Sequence, residues 1–316
     1  MAAILDVDLL AFERGDAGAQ AAVVDGLMRS LGTGFVVCRS DLPLDLLDEA
    51  YGLLARFFAL PLEEKQRFHR PEACGQTGYT GLLVETAAGA AAADWKEMFN
   101  WALPLPADHP LRRRFPLIYP EQLLPETAVP GITRVLETFH TAVAELQRRV
   151  LRVLATGLGV HVDFFDSLVR EGPTLTRAIR YPPMQTAPST AHEWAAAHAD
   201  INLITALPRA TAPGLQVQVD GQWVDAMAPD GHVILNSGLM LERLSNGRIP
   251  SGWHRVVAPE GCNGERLSVV QFCHPTPTTL LVPLSSCITA EHPQRHGALM
   301  AADALEDVLY QIKLLG

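Results

Sequence analysis

The sequence has no run of eighteen apolar residues, so no membrane-spanning helix is expected. Its first stretch, MAAILDVDLLAFERGD, carries acids where a secretory leader needs basic residues. The cytoplasm is therefore the expected compartment. Cysteine is scarce: Cys38, Cys74, Cys262, Cys273 and Cys287 make an odd number with no C-x-x-C spacing. That argues against a disulfide framework and against a cysteine-ligated zinc site. Cys38 and Cys273 sit in apolar, strand-like runs and read as small core residues. Positive charge is short as well, with 25 basic residues against 35 acids and a net charge of −10. There is no basic stripe to meet phosphates, so a nucleic-acid partner is not expected. Internal repeats are absent. What remains is 316 residues, 48% of them hydrophobic, enough for a sizeable core in one large domain or two small ones.

Organisation follows from periodicity. GTGFVVC (32–38) is a short β-rich run entered through glycines. In 41–60, Leu47, Tyr51, Leu54 and Phe58 recur at helical spacing. Residues 71–93 are rich in Gly, Ala and Thr; GYTG reads as a turn and the Ala-rich stretch as a loop. WKEMFNWALP (95–104) reads as a strand. The spacing predicts a long scaffold helix over about 131–157, with Ile132, Val135, Phe139, Val143, Leu146, Val150 and Leu154 as its apolar stripe. Beyond residue 172, short β-branched runs alternate with turns at spacings of 8 to 15 residues, the pattern of an all-β sandwich or jelly roll. DALEDVLYQIKLL closes the chain as a helix.

Candidate chemistry starts from AHADINLITAL (197–207), which sets His198 and Asp200 in an otherwise apolar run. Buried, these side chains are costly unless something compensates them. With 11 histidines and 35 acids in 316 residues, chance alone supplies about one HxD or HxE pair. The chain has two, and their contexts differ. Asp163 of HVD (161–163) precedes a helical stretch and reads as an N-cap. His198 and Asp200, read as positions i and i+2 of one strand, share a face. His254, in SGWHRVVAP, is the natural third ligand. Two imidazoles and one carboxylate leave up to three positions of a metal open, the facial triad of non-haem Fe(II) oxygenases; zinc tolerates the same ligands without needing the open sites. His192, His232 and His274 are weaker candidates, read as lying outside the mouth, exposed, and at a strand end.

These residues, together with GTGFVV, FFALPLEEKQRF, GYTG, DWKEMFNWALP, GLQV, LSNGR and RLSVVQF, resemble the isopenicillin-N-synthase-like branch of the Fe(II)- and 2-oxoglutarate-dependent oxygenases across nearly the whole chain. The resemblance implies an α+β fold with a mainly β core: a double-stranded β-helix (jelly roll) with a helical N-terminal part and supporting helices. It places an N-terminal module at 1–130. The scaffold helix, jelly roll and C-terminal helix occupy 131–316, and the two parts form one compact unit. It implies His198, Asp200 and His254 as iron ligands. Arg266 and Ser268, with Tyr181, are implied to hold 2-oxoglutarate. An arginine fork and a serine hydroxyl suit a carboxylate.

Two departures stand out. Ile179 occupies a place where many plant members carry asparagine. In the oxidase that names the branch, the RxS pair holds substrate and no 2-oxoglutarate is used. The implied activity is a dioxygenase using Fe(II), O2 and 2-oxoglutarate, aided by ascorbate. It would oxidise an unactivated C–H bond of a small molecule by hydroxylation, desaturation or cyclisation, in secondary or amino-acid-derived metabolism. A 2-oxoglutarate-independent oxidase, a catalytically silent jelly-roll binding protein and a zinc hydrolase stay open as alternatives. For substrate, alternation in 95–104 puts Met98 and Asn100 on one face, by resemblance the pocket face. Tyr79 and loop 87–93 are the expected lid, and Arg180 is expected to point out of the barrel. The protein is expected to be a monomer or weak homo-oligomer with no membrane partner.

Overall fold

The computed structural model describes residues 3–86 and 92–311. Strand β1 (Asp6–Asp8), helices α1 (Leu9–Arg14) and α2 (Ala17–Leu31) and strand β2 (Phe35–Arg39) open the chain. Asp8 and Asp16 start the two helices by accepting the N–H groups of Leu10 and Ala19, which satisfies donors a helix leaves orphaned. Helix α3 (Leu44–Phe58) buries Leu47, Tyr51, Leu54 and Phe58, the expected stripe. Helix α4 (Leu62–Gln66) and strands β3 (Gly78–Thr80) and β4 (Glu97–Trp101) follow. The strand expected over 95–104 thus covers only its middle. Pro104 and Pro106 lie beyond it, and proline cannot donate to a ladder.

After α5 (Pro110–Arg114), the long helix α6 runs Ile132–Gly157 and leads to α7 (Phe164–Val169). The Glu126 carboxylate takes the N–H groups of Gly131 and Thr133 at 2.7 and 3.0 Å and so caps α6. Every residue of the expected α6 stripe is buried. A fully buried side chain of this kind contributes roughly 1.5–3 kcal/mol, so the stripe anchors the helix to the sheet behind it. Asp163 stands at the N-cap position of α7 but makes no capping bond there; it pairs with Arg152 at 3.1 Å.

The barrel is built from β5 (Leu175–Tyr181), β6 (Ala195–His198), β7 (Ile204–Ala210), β8 (Leu215–Val219), β9 (Gln222–Asp225) and β10 (His232–Ser237). Helix α8 (Leu239–Leu244), β11 (His254–Val256) and β12 (Arg266–Cys273) complete it. The chain ends in β13 (Leu280–Leu281), β14 (Leu299–Met300) and α9 (Ala301–Gln311). One sheet has the order β1-β2-β10-β7-β12-β5-β4-β3 and a second β6-β11-β8-β9. Between the two sheets lies an apolar cluster to which both contribute, including Met98, Ile179, Val270, Val217 and Val256. On the far face of the large sheet, Phe99, Trp101, Ala178 and Val269 pack against α2, α3 and α6. The architecture is a jelly roll backed by helices.

Polar side chains also pin helix to sheet. The Gln147 amide donates to the carbonyls of Ile204 and Gln271 at 3.2 and 2.9 Å, and Trp101 Nε1 donates to Leu136 O at 3.0 Å. His232 begins β10 half-buried beside Asp6 at 3.2 Å, where exposure was expected. No described helix is long and apolar enough to cross a membrane.

Candidate active site

His198, Asp200 and His254 meet at the open end between the sheets, with one ligand atom from each lying within 4.8 Å of the others. Among the described residues no other group of His, Cys, Asp or Glu is so placed. The route by which they meet differs from the sequence reading. His198 and Asp200 are not i and i+2 of one strand, because β6 ends at His198 and residues 199–203 lie outside any strand, with a bend at 201–203 before β7 begins. His254 comes from the neighbouring strand β11. The two are direct partners in the antiparallel β6–β11 pair, with ring centroids 4.3 Å apart.

Each side chain is oriented by hydrogen bonds that leave its outer atom free. Nδ1 of His198 lies 2.8 Å from Ala196 O, and Nδ1 of His254 lies 3.0 Å from Gly252 O. A carbonyl only accepts, so both Nδ1 atoms carry a proton and both Nε2 atoms are turned toward the shared point. Burial, and then the neighbouring His254, push His198 down to about 4, so its imidazole is neutral at neutral pH. Asp200 receives Thr205 Oγ1 at 2.6 Å and Asn236 Nδ2 at 2.8 Å, both on Oδ2, which leaves Oδ1 toward His198. Asn202 Nδ2 donates to Thr205 Oγ1 at 2.9 Å, and Asp200 is the nearer acceptor for the threonine proton, Asn202 Oδ1 lying at 3.3 Å. Burial works to raise the Asp200 carboxyl. The two imidazoles and the two hydrogen bonds outweigh it and hold the group below the usual carboxylate range. Two imidazole nitrogens and one carboxylate oxygen, aimed at one point, fit a divalent first-row metal such as Fe(II).

Backbone close to His254 is tightly fixed. Gly34 has φ +83°, and a Cβ there would lie 2.6 Å from Gly252 Cα. Gly252 is the residue whose carbonyl orients the His254 ring. The glycine-entered run before β2 thus lets the N-terminal strand seat the metal-site strand.

Behind the triad a cavity of about 360 Å³ runs along the inward faces of β5 and β12. Register places Arg266 opposite Tyr181 and Ser268 opposite Ile179. Arg266 is buried, 3% exposed. Its guanidinium donates to Ser268 Oγ at 2.9 Å and Ala212 O at 3.1 Å and lies 5.1 Å from the Tyr181 ring centroid. No described carboxylate pairs with it. A buried guanidinium without an anion is costly, and the cavity opens beside it.

Other sequence expectations meet a different geometry. Met98 and Asn100 do share a face, but neither lines the cavity. Met98 is packed in the apolar cluster between the sheets. Asn100 Oδ1 accepts Arg177 Nε at 2.7 Å, and it is Arg177 that reaches the cavity. Tyr79 is buried and donates to Glu97 Oε2 at 2.6 Å, so it is a core residue and no lid. Of the Ala-rich loop, residues 87–91 lie outside the described residues. Arg180, by contrast, points away from the cavity as the sequence reading has it, to Glu97 and Glu265, each at 2.6 Å.

Sequence reasoning missed Lys96, which lies between Glu85 and Asp94 at 2.6 and 2.7 Å. It placed His274 at a strand end, whereas His274 lines the cavity, and it missed the inner face of α9, where Leu305, Val308 and Leu309 line it too. Parity along β4 and β12 would have pointed to Lys96 and His274. Nothing in the sequence pointed to Glu85 or α9.

Comparison with known proteins follows the same lines. Residues 4–126 match the N-terminal family described as non-haem dioxygenase in morphine synthesis, and residues 173–275 match the 2OG-Fe(II) oxygenase superfamily. A Caulobacter crescentus protein described as of the 2OG-Fe(II) oxygenase family is 32% identical, superposes with a TM-score of 0.85, and is covered over 100% of its length by 99% of this chain. A 2-oxoglutarate-Fe(II) type oxidoreductase of Emericella nidulans is 29% identical over 96% of this chain and 89% of its own. A Neurospora crassa protein, solved with alpha-KG and 5-formyluracil, is 25% identical with a TM-score of 0.79, over 96% of this chain and 94% of its own.

Proposed function

The chain belongs to the 2OG-Fe(II) oxygenase superfamily, and we propose that His198, Asp200 and His254 hold its Fe(II) while Arg266, Ser268 and Tyr181 hold 2-oxoglutarate. The protein is a non-haem Fe(II)- and 2-oxoglutarate-dependent oxidoreductase, and its substrate is a small molecule. The observation that carries the residue roles is a pair of complementary bonding needs. Three ligand atoms are turned toward one point, and a buried guanidinium in the same cavity has no anion.

Bound Fe(II), with O2 and 2-oxoglutarate, supplies the oxidising power for attack on a C–H bond. The chain supplies geometry and exclusion of water. His198 and His254 present Nε2, fixed by backbone carbonyls that cannot rotate away. Asp200 presents Oδ1 and keeps its charge because Thr205 and Asn236 serve Oδ2. Arg266 forks onto the distal carboxylate of the co-substrate, Ser268 shares that contact, and the Tyr181 ring supports the guanidinium from one side. Ile179 gives this subsite an apolar wall, so orientation of the co-substrate falls on Arg266 and Ser268. Apolar side chains from β5, β12 and α9 dry the space where substrate sits.

The direct test is release of succinate from 2-oxoglutarate with Fe(II), ascorbate and air. Formation of succinate that stops without oxygen is the expected result. Turnover that persists anaerobically would point to hydrolytic chemistry instead. A second expectation concerns the residues behind Asp200. Thr205→Val removes one of its two hydrogen bonds, and Fe(II) affinity is expected to fall roughly 10–100-fold, read by anaerobic metal titration.

A further inference from the structure

The cavity holds polar groups that neither the metal nor the co-substrate uses. His274 is 6% exposed and lines the cavity. Its Nδ1 is buried without a hydrogen-bond partner, and its ring makes no hydrogen bond to any described residue. Nδ1 is closed off from the cavity, but Nε2, which also has no hydrogen bond to a described residue, is accessible; an imidazole nitrogen left unbonded at a cavity wall can take a ligand's polar group. Arg177 lies on the same wall, two inward positions from Tyr181 along β5. Its Nε is tied to Asn100 at 2.7 Å and its Nη1 to Glu85 at 3.2 Å, and its guanidinium sits 5.4 Å from the Phe272 ring centroid. It is held on three sides, and its Nη2 edge has no partner among the described residues.

Charge and size narrow what this pair can take. Lys96 and Arg177 are matched by Glu85 and Asp94, two cations against two carboxylates within one buried cluster. When metal and co-substrate are bound, two positive charges from Fe(II) and one from Arg266 balance one negative charge from Asp200 and two from 2-oxoglutarate. No charge is left for a charged substrate to neutralise, and burying an unmatched ion is expensive. The cavity of about 360 Å³ lies at the small end of ligand pockets, which run roughly 300–1,000 Å³, and the co-substrate takes its share.

We propose that Arg177 and His274 form a substrate-recognition pair selecting a compact, uncharged molecule, of about one ring, through a carbonyl oxygen and an adjoining polar edge. Arg177 donates to the carbonyl, and His274, as donor or acceptor, reads the neighbouring group. The proposal rests on reading the site as an Fe(II)/2-oxoglutarate oxygenase and adds the class of substrate.

The test uses the whole protein loaded with Fe(II) and 2-oxoglutarate. Monocyclic amides, imides and ureides form one set of probes, and monocyclic carboxylic acids of matched size the other. Binding is read by anaerobic calorimetry. Turnover is read as succinate formed above the probe-free rate and as product mass, a gain of 16 or a loss of 2. Uncharged carbonyl probes are expected to bind and stimulate turnover. His274→Leu is expected to raise the probe KM about tenfold, more than it moves the KM for 2-oxoglutarate. Its thermal midpoint should hold or rise, since no protein group loses a partner. Arg177→Lys keeps a cation beside Glu85 and is expected to raise the probe KM by tenfold or more. Response to the acids alone, response to neither set, or unchanged KM in both variants would overturn the proposal. If no succinate forms even without a probe, the oxygenase reading itself fails, and the proposal with it.

Discussion

Arg266→Met is expected to raise the 2-oxoglutarate concentration needed for half-maximal turnover by at least about 100-fold. The guanidinium has two partners of its own, Ser268 and a backbone carbonyl, and no carboxylate. Hydrogen bonds to charged groups are each worth roughly 1.5–3 kcal/mol. Two of them to the distal carboxylate come to roughly 3–6 kcal/mol, and 1.4 kcal/mol is a factor of ten, so the loss spans about two to four orders of magnitude. Stability of the unloaded protein is expected to move the other way. Methionine fills similar space and removes a buried cation that no anion matches, so urea unfolding should show equal or greater stability. A residue there merely for structure would lower stability and leave the co-substrate requirement in place. Steady-state kinetics against 2-oxoglutarate, with urea unfolding beside it, reads both effects.

Asp200→Asn is expected to abolish measurable activity and to weaken Fe(II) binding by roughly 100- to 1,000-fold. Structural metal sites bind with about 10–16 kcal/mol over four ligands, which assigns roughly 2.5–4 kcal/mol to each. The asparagine variant is chosen because its shape is the same. Its carbonyl can still accept from Thr205 and Asn236, and its amide then faces the metal with hydrogens and no lone pair. Fold and cavity should persist while metal retention fails. A thermal midpoint near that of the parent, with iron lost on desalting, is the expected pair of readings. Unaltered iron content in that variant would remove Asp200 from the ligand set.

Much of this was legible in the sequence, and the failures have physical causes. The α6 stripe and the alternation in RLSVVQF read correctly because each element is long and one face of each is buried. Arg266 and Ser268 therefore fell on one face, and their side chains touch. The HAD reading named residues that do converge, but for an incorrect reason. The strand stops at His198, and the segment that carries Asp200 is held by Thr205 and Asn236, neighbours across the β7–β10 ladder. Such support is invisible without knowledge of pairing. Met98 and Asn100 had the right parity yet lay one layer too deep, with Arg177 between Asn100 and the cavity. The lid reading of Tyr79 failed because its hydroxyl found Glu97, which Lys65 and Arg180 also bind. His274 was set aside as lying at a strand end. The inward run of β12, read two residues further, leads to it.

Iron itself gives the most direct test of the whole scheme. The protein should be loaded anaerobically with Fe(II), freed of excess metal, and its iron content and X-ray absorption measured with and without 2-oxoglutarate. The expected result is one iron per chain, bound only by nitrogen and oxygen with imidazole contributions, and a change in its coordination when 2-oxoglutarate is added that Arg266→Met weakens. Iron that washes away from the parent protein, or a spectrum untouched by saturating 2-oxoglutarate, would contradict the assignment of His198, Asp200 and His254 as the metal centre of this enzyme.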